Sequence, residues 1–183
     1  TLVCAPFYLN QVATIEDIAK SLPSGFKLVV KEHQGSIGRR RLSDYIDIKK
    51  NWNVLLVGPQ EDSIELVKKS KAIVTITSTV GLQGLLLRKP VVTLARVSYD
   101  ASPAVIRASE IPKISLYKAI AKAINSEVKE SDVLDFCIAV ERKLPNSEGL
   151  ILNLPIYQKE VLEEENVNKI SKIIIKELKG SSN

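Results

Sequence analysis

Two short stretches carry the residue types that could do chemistry. The first, VVKEHQGSIGRRR, runs from Val29 to Arg41 and holds the only histidine of the chain, His33, between Lys31 and the arginines Arg39, Arg40 and Arg41. The second, TITSTVG, runs from Thr75 to Gly81 and sets Thr77, Ser78 and Thr79 side by side ahead of a glycine. An imidazole among cations is suited to meeting an anion. Consecutive hydroxyls before a helix, backed by unpaired N–H groups and the positive helix end, can hold a phosphate. Each stretch also has a plainer reading. Ser78 or Thr79 can be an N-cap and nothing more, and His33 can be a strand-end histidine bonded to a neighbouring carbonyl. Lys31, Glu32 and Arg39 can equally form a surface ion-pair group that positions their loop.

The elements that must position these residues alternate along the chain. FYLNQVATIEDIAKSL places Val12, Ile15, Ile18, Ala19 and Leu22 at helical spacing, and PSG ends the helix. FKLVV is a short β-branched apolar run, which predicts a strand covered on both faces. RLSDYIDIKKN then reads as helix, VLLVG as strand, EDSIELVKKS as helix, AIVTIT as strand, TVGLQGLLLRK as helix and PVVTLA as strand. This alternation predicts an α/β fold: a doubly wound, Rossmann-like parallel sheet flanked by helices. Ligands of such sheets sit outside the carboxyl ends of the strands. His33 and Ser78 both fall at such ends.

The remaining segments are assigned on weaker patterns. TLVCAP is expected to be a loop, PAVIRA a short edge strand, and SLYKAIAKAIN and SDVLDFCIAVERKL helices capped by Ser115 and Ser131. Residues 157–178 read as a long final helix and 179–183 as a disordered tail. Glu61 and Asp62 suit the first turn of a helix through the dipole alone. Tyr99 and Asp100 either line a cleft or form a turn. Trp52, between Asn51 and Asn53, is expected to plug the space between a helix and the next strand.

Composition bounds the answer. With 183 residues, 45% hydrophobic and 26% charged, the chain is expected to bury one core as a single soluble domain over residues 1–178. No run approaches the roughly 18 to 20 apolar residues of a spanning helix. No signal-peptide pattern opens the chain, so a cytoplasmic location, extending to the inner face of the membrane, is expected. A net charge of +5 favours anionic partners. The cations are spread along several helices and not gathered with aromatics, which argues against nucleic acid. Cys4 and Cys137 lie far apart, without a CxxC spacing or a second histidine, so free thiols and no metal are expected. The chain starts at Thr1 and contains no methionine, so it is expected to be part of a longer protein.

LPSGFKLVVKEHQGSIGRR, NVLLVGPQEDSIELVKKSKAIVTITSTVGLQGLLLRKPVVTL and the following SYD resemble the capsule polysaccharide and surface carbohydrate biosynthesis family, over about residues 7–100. That family includes transferases of 3-deoxy-manno-octulosonic acid. The resemblance implies the C-terminal half of a GT-B glycosyltransferase, the half that binds most of the nucleotide sugar. In related transferases that use a CMP-sugar such as CMP-Kdo, a histidine in Lys-x-His-Pro and a Ser/Thr pair before a helix contact the nucleotide phosphate. Those roles would fall here on His33 and on Ser78 and Thr79, with Lys31, Arg39, Thr77, Gly81 and Gln83 around them.

The same resemblance implies a metal-independent mechanism without a resident cofactor. It also implies a glycan or glycolipid acceptor bound through an N-terminal domain outside this chain, so isolated activity is not expected and no general base is assigned. Departures from the family pattern are His33-Gln34 for His-Pro, Gly81-Leu82-Gln83-Gly84 for Gly-x-Glu-Ala, and Ala95 for a frequent glycine. These leave open a divergent, non-catalytic assembly module, and an epimerase-like domain would share the architecture.

Overall fold

The first helix starts where a short polar side chain can reach an open amide. Asn10 is extended, its side-chain oxygen accepts from the Ala13 N–H at 3.1 Å, and α1 runs Gln11–Lys20. The helix therefore opens one residue ahead of Val12, the first residue of its apolar spacing, because the cap and not the first apolar residue sets the start. The structure, a computed structural model, describes Ala5 and residues 8–108 and 115–143. The expectations for TLVC, for residues 157–178 and for the tail lie outside the described residues.

After α1 come β1 (Leu28–Lys31), α2 (Leu42–Lys49), β2 (Val54–Val57), α3 (Ser63–Lys69), β3 (Ile73–Thr75), α4 (Val80–Leu86), β4 (Val91–Thr93), β5 (Val105–Arg107), α5 (Ser115–Asn125) and α6 (Glu130–Lys143). Every pairing is parallel: Leu28 lies opposite Val54, Ile73 opposite Val91, and Val91 opposite Val105. This is the expected α/β, Rossmann-like arrangement, with PAVIRA supplying the edge strand β5. Among the described residues the strands form two ladders, β1-β2 and β3-β4-β5, where one continuous sheet was expected. The chain divides into two compact units, Thr1–Asp132 and Val133–Asn183.

The core lies against β4, where Val91, Val92 and Thr93 are all 0% exposed. Val92 and Leu94 join Ile18 of α1 and Ala119, Ile120 and Ala123 of α5 in one cluster. On the opposite face α4 descends closely because Gly84 has no side chain: a Cβ there would run into Ile73 and lie 3.7 Å from Val91 Cγ2. Each Val, Leu or Ile so buried contributes about 1.5–3 kcal/mol.

The β1-β2 ladder differs from expectation. Val29 is 46% exposed and its register partner Leu55 is 45% exposed. The helices packed most closely on this ladder, α1 and α2, also touch each other, so they cover one face and leave the other open. Trp52 is likewise not a plug. It is 83% exposed, because its neighbours make the bridge instead. Asn51 donates to the carbonyls of Asp47 and Ile48 at 3.3 and 3.2 Å, closing the end of α2, and Asn53 donates to the Ala19 carbonyl at 2.7 Å, closing the end of α1.

Caps elsewhere are mixed. Asp62 accepts from the N–H groups of Ile64 and Glu65 at 2.7 and 3.4 Å, the structural role its position suggests. Ser131 falls inside α6, which opens at Glu130, while Asp132 reaches back to the Lys129 N–H at 3.4 Å. α5 runs Ser115–Asn125, and the capping expectation for Ser115 lies outside the described residues.

α4 ends on a strained residue. The Lys89 N–H bonds to the Gly84 carbonyl at 2.8 Å and the Arg88 N–H to the Leu85 carbonyl at 2.9 Å, the paired bonds that close a helix through a left-handed residue. That residue is Arg88, at φ 56°, where glycine is the usual occupant. Its contact with Glu130 at 3.6 Å is exposed on both sides and contributes little. Arg88→Gly is expected to raise stability by about 0.5–1 kcal/mol in a denaturant titration; an unchanged or lower midpoint would show that the turn carries no strain.

Candidate functional site

The β1–α2 loop is held by charge. Glu32, just past β1, accepts from the Tyr45 hydroxyl of α2 at 2.5 Å and from Arg40 Nε at 3.4 Å, while Arg40 Nη2 donates to Gln11 Oε1 at 2.5 Å. The Glu32 and Arg40 side chains are only 10% and 19% exposed. One network thus ties the start of α1, the loop and α2 together. The hydrogen bond to Glu32, with burial and the carboxylate charge adding to it, raises the Tyr45 phenol above its ordinary pKa.

Within this loop Lys31 is the half-buried last residue of β1, and His33 is exposed. The plain reading of His33 was a bond to a neighbouring carbonyl. The ring instead accepts: Nδ1 takes the Gly35 N–H at 3.0 Å. A neutral imidazole bonded that way carries its proton on Nε2, leaving that N–H as the donor.

A cavity of about 480 Å³ opens beside the network, at the carboxyl end of β1. Asn10 and Gln11 at the head of α1, Ser36, Arg39 and Arg40 of the loop, and Asp44 and Asp47 of α2 line it. The volume suits a small ligand. Arg40 is engaged by Glu32 and Gln11, whereas Arg39 is exposed and makes no ion pair among the described residues.

The β3–α4 loop is held by hydroxyls and one buried phenol. Thr75, 6% exposed, accepts the Ser78 N–H on its Oγ1 at 3.0 Å. Ser78 Oγ accepts the Val80 N–H at 3.3 Å, while Thr79, in the cap position, makes no side-chain capping bond. Capping therefore falls to Ser78. Thr77 is half-buried, and Ser78 and Thr79 are exposed. Gln83 is half-buried on α4, its N–H bonded to the Thr79 carbonyl at 3.0 Å.

Gly81 admits a close approach, as its position suggests, and the group that approaches is Tyr99: a Cβ at Gly81 would collide with its ring. Tyr99 is 4% exposed and donates its hydroxyl to the Ser78 carbonyl at 2.6 Å. Burial first, and then the charge of Asp100, push its pKa up to about 12 against a hydrogen bond from Thr75. Asp100 accepts from the Thr93 hydroxyl at 3.1 Å and the Val97 N–H at 2.9 Å. Of the two readings of this pair, Asp100 makes the turn. Tyr99 does something else, pinning the hydroxyl loop.

The expected residues thus gather in two groups, Lys31, His33 and Arg39 after β1, and Thr77, Ser78, Thr79, Gly81 and Gln83 after β3. No hydrogen bond or ion pair among the described residues joins the groups, and the cavity takes in Arg39 alone of these. Among the described residues no three His, Cys, Asp or Glu side chains gather as a metal site would need, and Cys137 is an exposed free thiol. Nor is any helix among them long and apolar enough to cross a membrane.

The sequence profile of a family described as capsule polysaccharide biosynthesis protein matches residues 10–105, from α1 to the first residue of β5. That is just over half of the 183 residues. No curated protein and no solved structure matches the chain.

The phenol that pins Ser78 gives a measurable pH dependence. The folded pKa of Tyr99 is raised above the ordinary tyrosine value of about 10, so its contribution is intact below about pH 10 and is lost as pH climbs toward about 12. Tyr99→Phe is expected to cost about 1–2 kcal/mol at neutral pH by chemical denaturation. It should also remove one late-titrating phenol from the tyrosinate absorbance curve and flatten the alkaline loss of stability. An alkaline loss as steep in the variant as in the parent would show that Tyr99 is not the clamp.

Proposed function

The chain belongs to the capsule polysaccharide biosynthesis protein family, and we propose that within capsule synthesis it is the domain that binds the nucleotide-sugar donor of a metal-independent, two-domain GT-B glycosyltransferase. The observation that carries this reading is the cavity at the carboxyl end of the parallel strand β1, with Arg39 at its wall free of any ion pair among the described residues. The Nε2–H of His33 and the exposed hydroxyls of Ser78 and Thr79, each at the end of a parallel strand, support it.

In the transfer, the bond between the anomeric carbon and the phosphate oxygen breaks, and the nucleotide leaves with the electron pair. The acceptor hydroxyl oxygen takes the anomeric carbon, and its proton passes to a base outside this domain. What this domain supplies is a fixed environment for the departing phosphate. Arg39 offers a guanidinium at the cavity, and His33 a ring N–H and Ser78 and Thr79 hydroxyl donors at the ends of their strands, groups suited to meeting negative charge as it develops. By its resemblance the family favours a CMP-sugar as donor.

Calorimetric titration with CMP, CDP and UDP tests this reading, and saturable binding of at least one is expected. Arg39→Ala, His33→Ala and Ser78→Ala are each expected to weaken it by about 1–3 kcal/mol, the cost of a charge-assisted hydrogen bond. A residue whose loss leaves affinity unchanged leaves the site. If a folded sample binds none of the three nucleotides, the donor-binding reading fails.

A further inference from the structure

The outer face of α2 is not what a solvated helix presents. Ile48 is turned inward at 1% exposure, and the opposite stripe, at positions i, i+4 and i+7, is Leu42, Ile46 and Lys49. Leu42 is 75% exposed and Ile46 54%. The loop before the helix adds Ile37 at 61%, and the turn after it adds Trp52 at 83%. Single exposed apolar residues are ordinary, but several along one stretch mark a contact surface. Trp52 is also not loosely exposed, since the flanking Asn51 and Asn53 are each bonded to the end of a helix and hold the turn between them.

Cations frame this surface. Arg41 and Lys49 are exposed and make no ion pair among the described residues. Arg41 is the most telling, because it occupies the N-cap position of α2 without any capping bond. A cation at the positive end of a helix is unfavourable, and Ser, Asp or Asn would serve the helix better. Helix stability does not account for an arginine there.

We propose that this face of α2, with Trp52 at its end, docks on a membrane surface rich in anionic lipid. Leu42, Ile46 and Trp52 enter the boundary between headgroups and acyl chains, and Arg41 and Lys49 meet lipid phosphates. The net charge of +5 adds a longer-range attraction. A second copy fits less well, since a two-fold contact through this patch sets its cations against each other. Leu42, Ile46 and Trp52 do not line the cavity, so docking leaves the donor site open.

Trp52 is the only tryptophan, so the fluorescence of the native chain reports on this surface directly. The full chain is mixed with vesicles of phosphatidylglycerol and phosphatidylcholine, with vesicles of phosphatidylcholine alone, and with buffer. A blue shift and co-sedimentation with the anionic vesicles only, both reduced by salt, are expected. Leu42→Ser with Ile46→Ser, and separately Arg41→Glu with Lys49→Glu, should each weaken vesicle binding by about tenfold or more with the circular dichroism unchanged. Should the apolar pair fail to fold, the charge pair and the parent emission still decide. Three results overturn the proposal: emission unmoved by anionic vesicles, folded variants that bind as the parent does, or a blue shift that grows with protein concentration without lipid.

Discussion

A hydroxyl that cannot reach water organises the better-buried half of the molecule. Thr93 lies in β4 at 0% exposure, and a polar group so placed must find a partner within the protein. It donates to Asp100 at 3.1 Å, and the same carboxylate takes the Val97 N–H at 2.9 Å, so one buried requirement fixes the turn that follows the strand. That turn presents Tyr99, whose hydroxyl reaches the Ser78 carbonyl at 2.6 Å across the glycine gap at position 81. The exposed hydroxyls of Ser78 and Thr79 are thus held in place by a chain of contacts that begins in the core. Removing water from β4 does more than stabilise the fold; it sets the geometry of a loop on the surface.

The β1–α2 loop is built by different physics. Its ladder keeps one face open at Val29 and Leu55, so burial cannot specify the loop. A part-buried ion pair does so instead, with Glu32 receiving both Arg40 and Tyr45. Such a pair is only partly screened by salt, and its charged partners leave no freedom to serve a ligand. The division of labour follows. Arg40 is committed to structure, and the neighbouring Arg39 stands at the cavity wall without an ion pair among the described residues.

Periodicity made the order of elements legible, down to the short edge strand β5, because a parallel α/β chain must alternate apolar runs of two distinct periods. The acid-rich start of α3 was legible too, since Asp62 needs only local geometry to cap. What the sequence concealed depends on distance along the chain. A short apolar run looks the same whether one face or both are covered, so the exposure of Val29 and Leu55 left no mark. Trp52 read as filler because a large aromatic usually buries, and nothing local showed that Asn51 and Asn53 would take the bridging role. The glycine at 81 announced a close approach without naming what approaches. Tyr99 sits 21 residues from Ser78 in sequence, and no spacing rule connects them.

The run Arg39-Arg40-Arg41 shows how a local pattern resolves once the chain folds. Read as sequence it is one block of positive charge, which suggests one anionic partner. Consecutive residues outside a helix meet different surroundings, and here the three separate: Arg40 joins Glu32 and Gln11, Arg39 lines the cavity, and Arg41 stands at the head of α2 without a partner among the described residues. The interior pair neutralises one of the three charges, so the block acts outward as two cations and not three. Those two belong to different surfaces, the cavity and the outer stripe of α2. A single reversal within the run therefore does not probe a basic patch; it probes whichever of the three environments that arginine occupies.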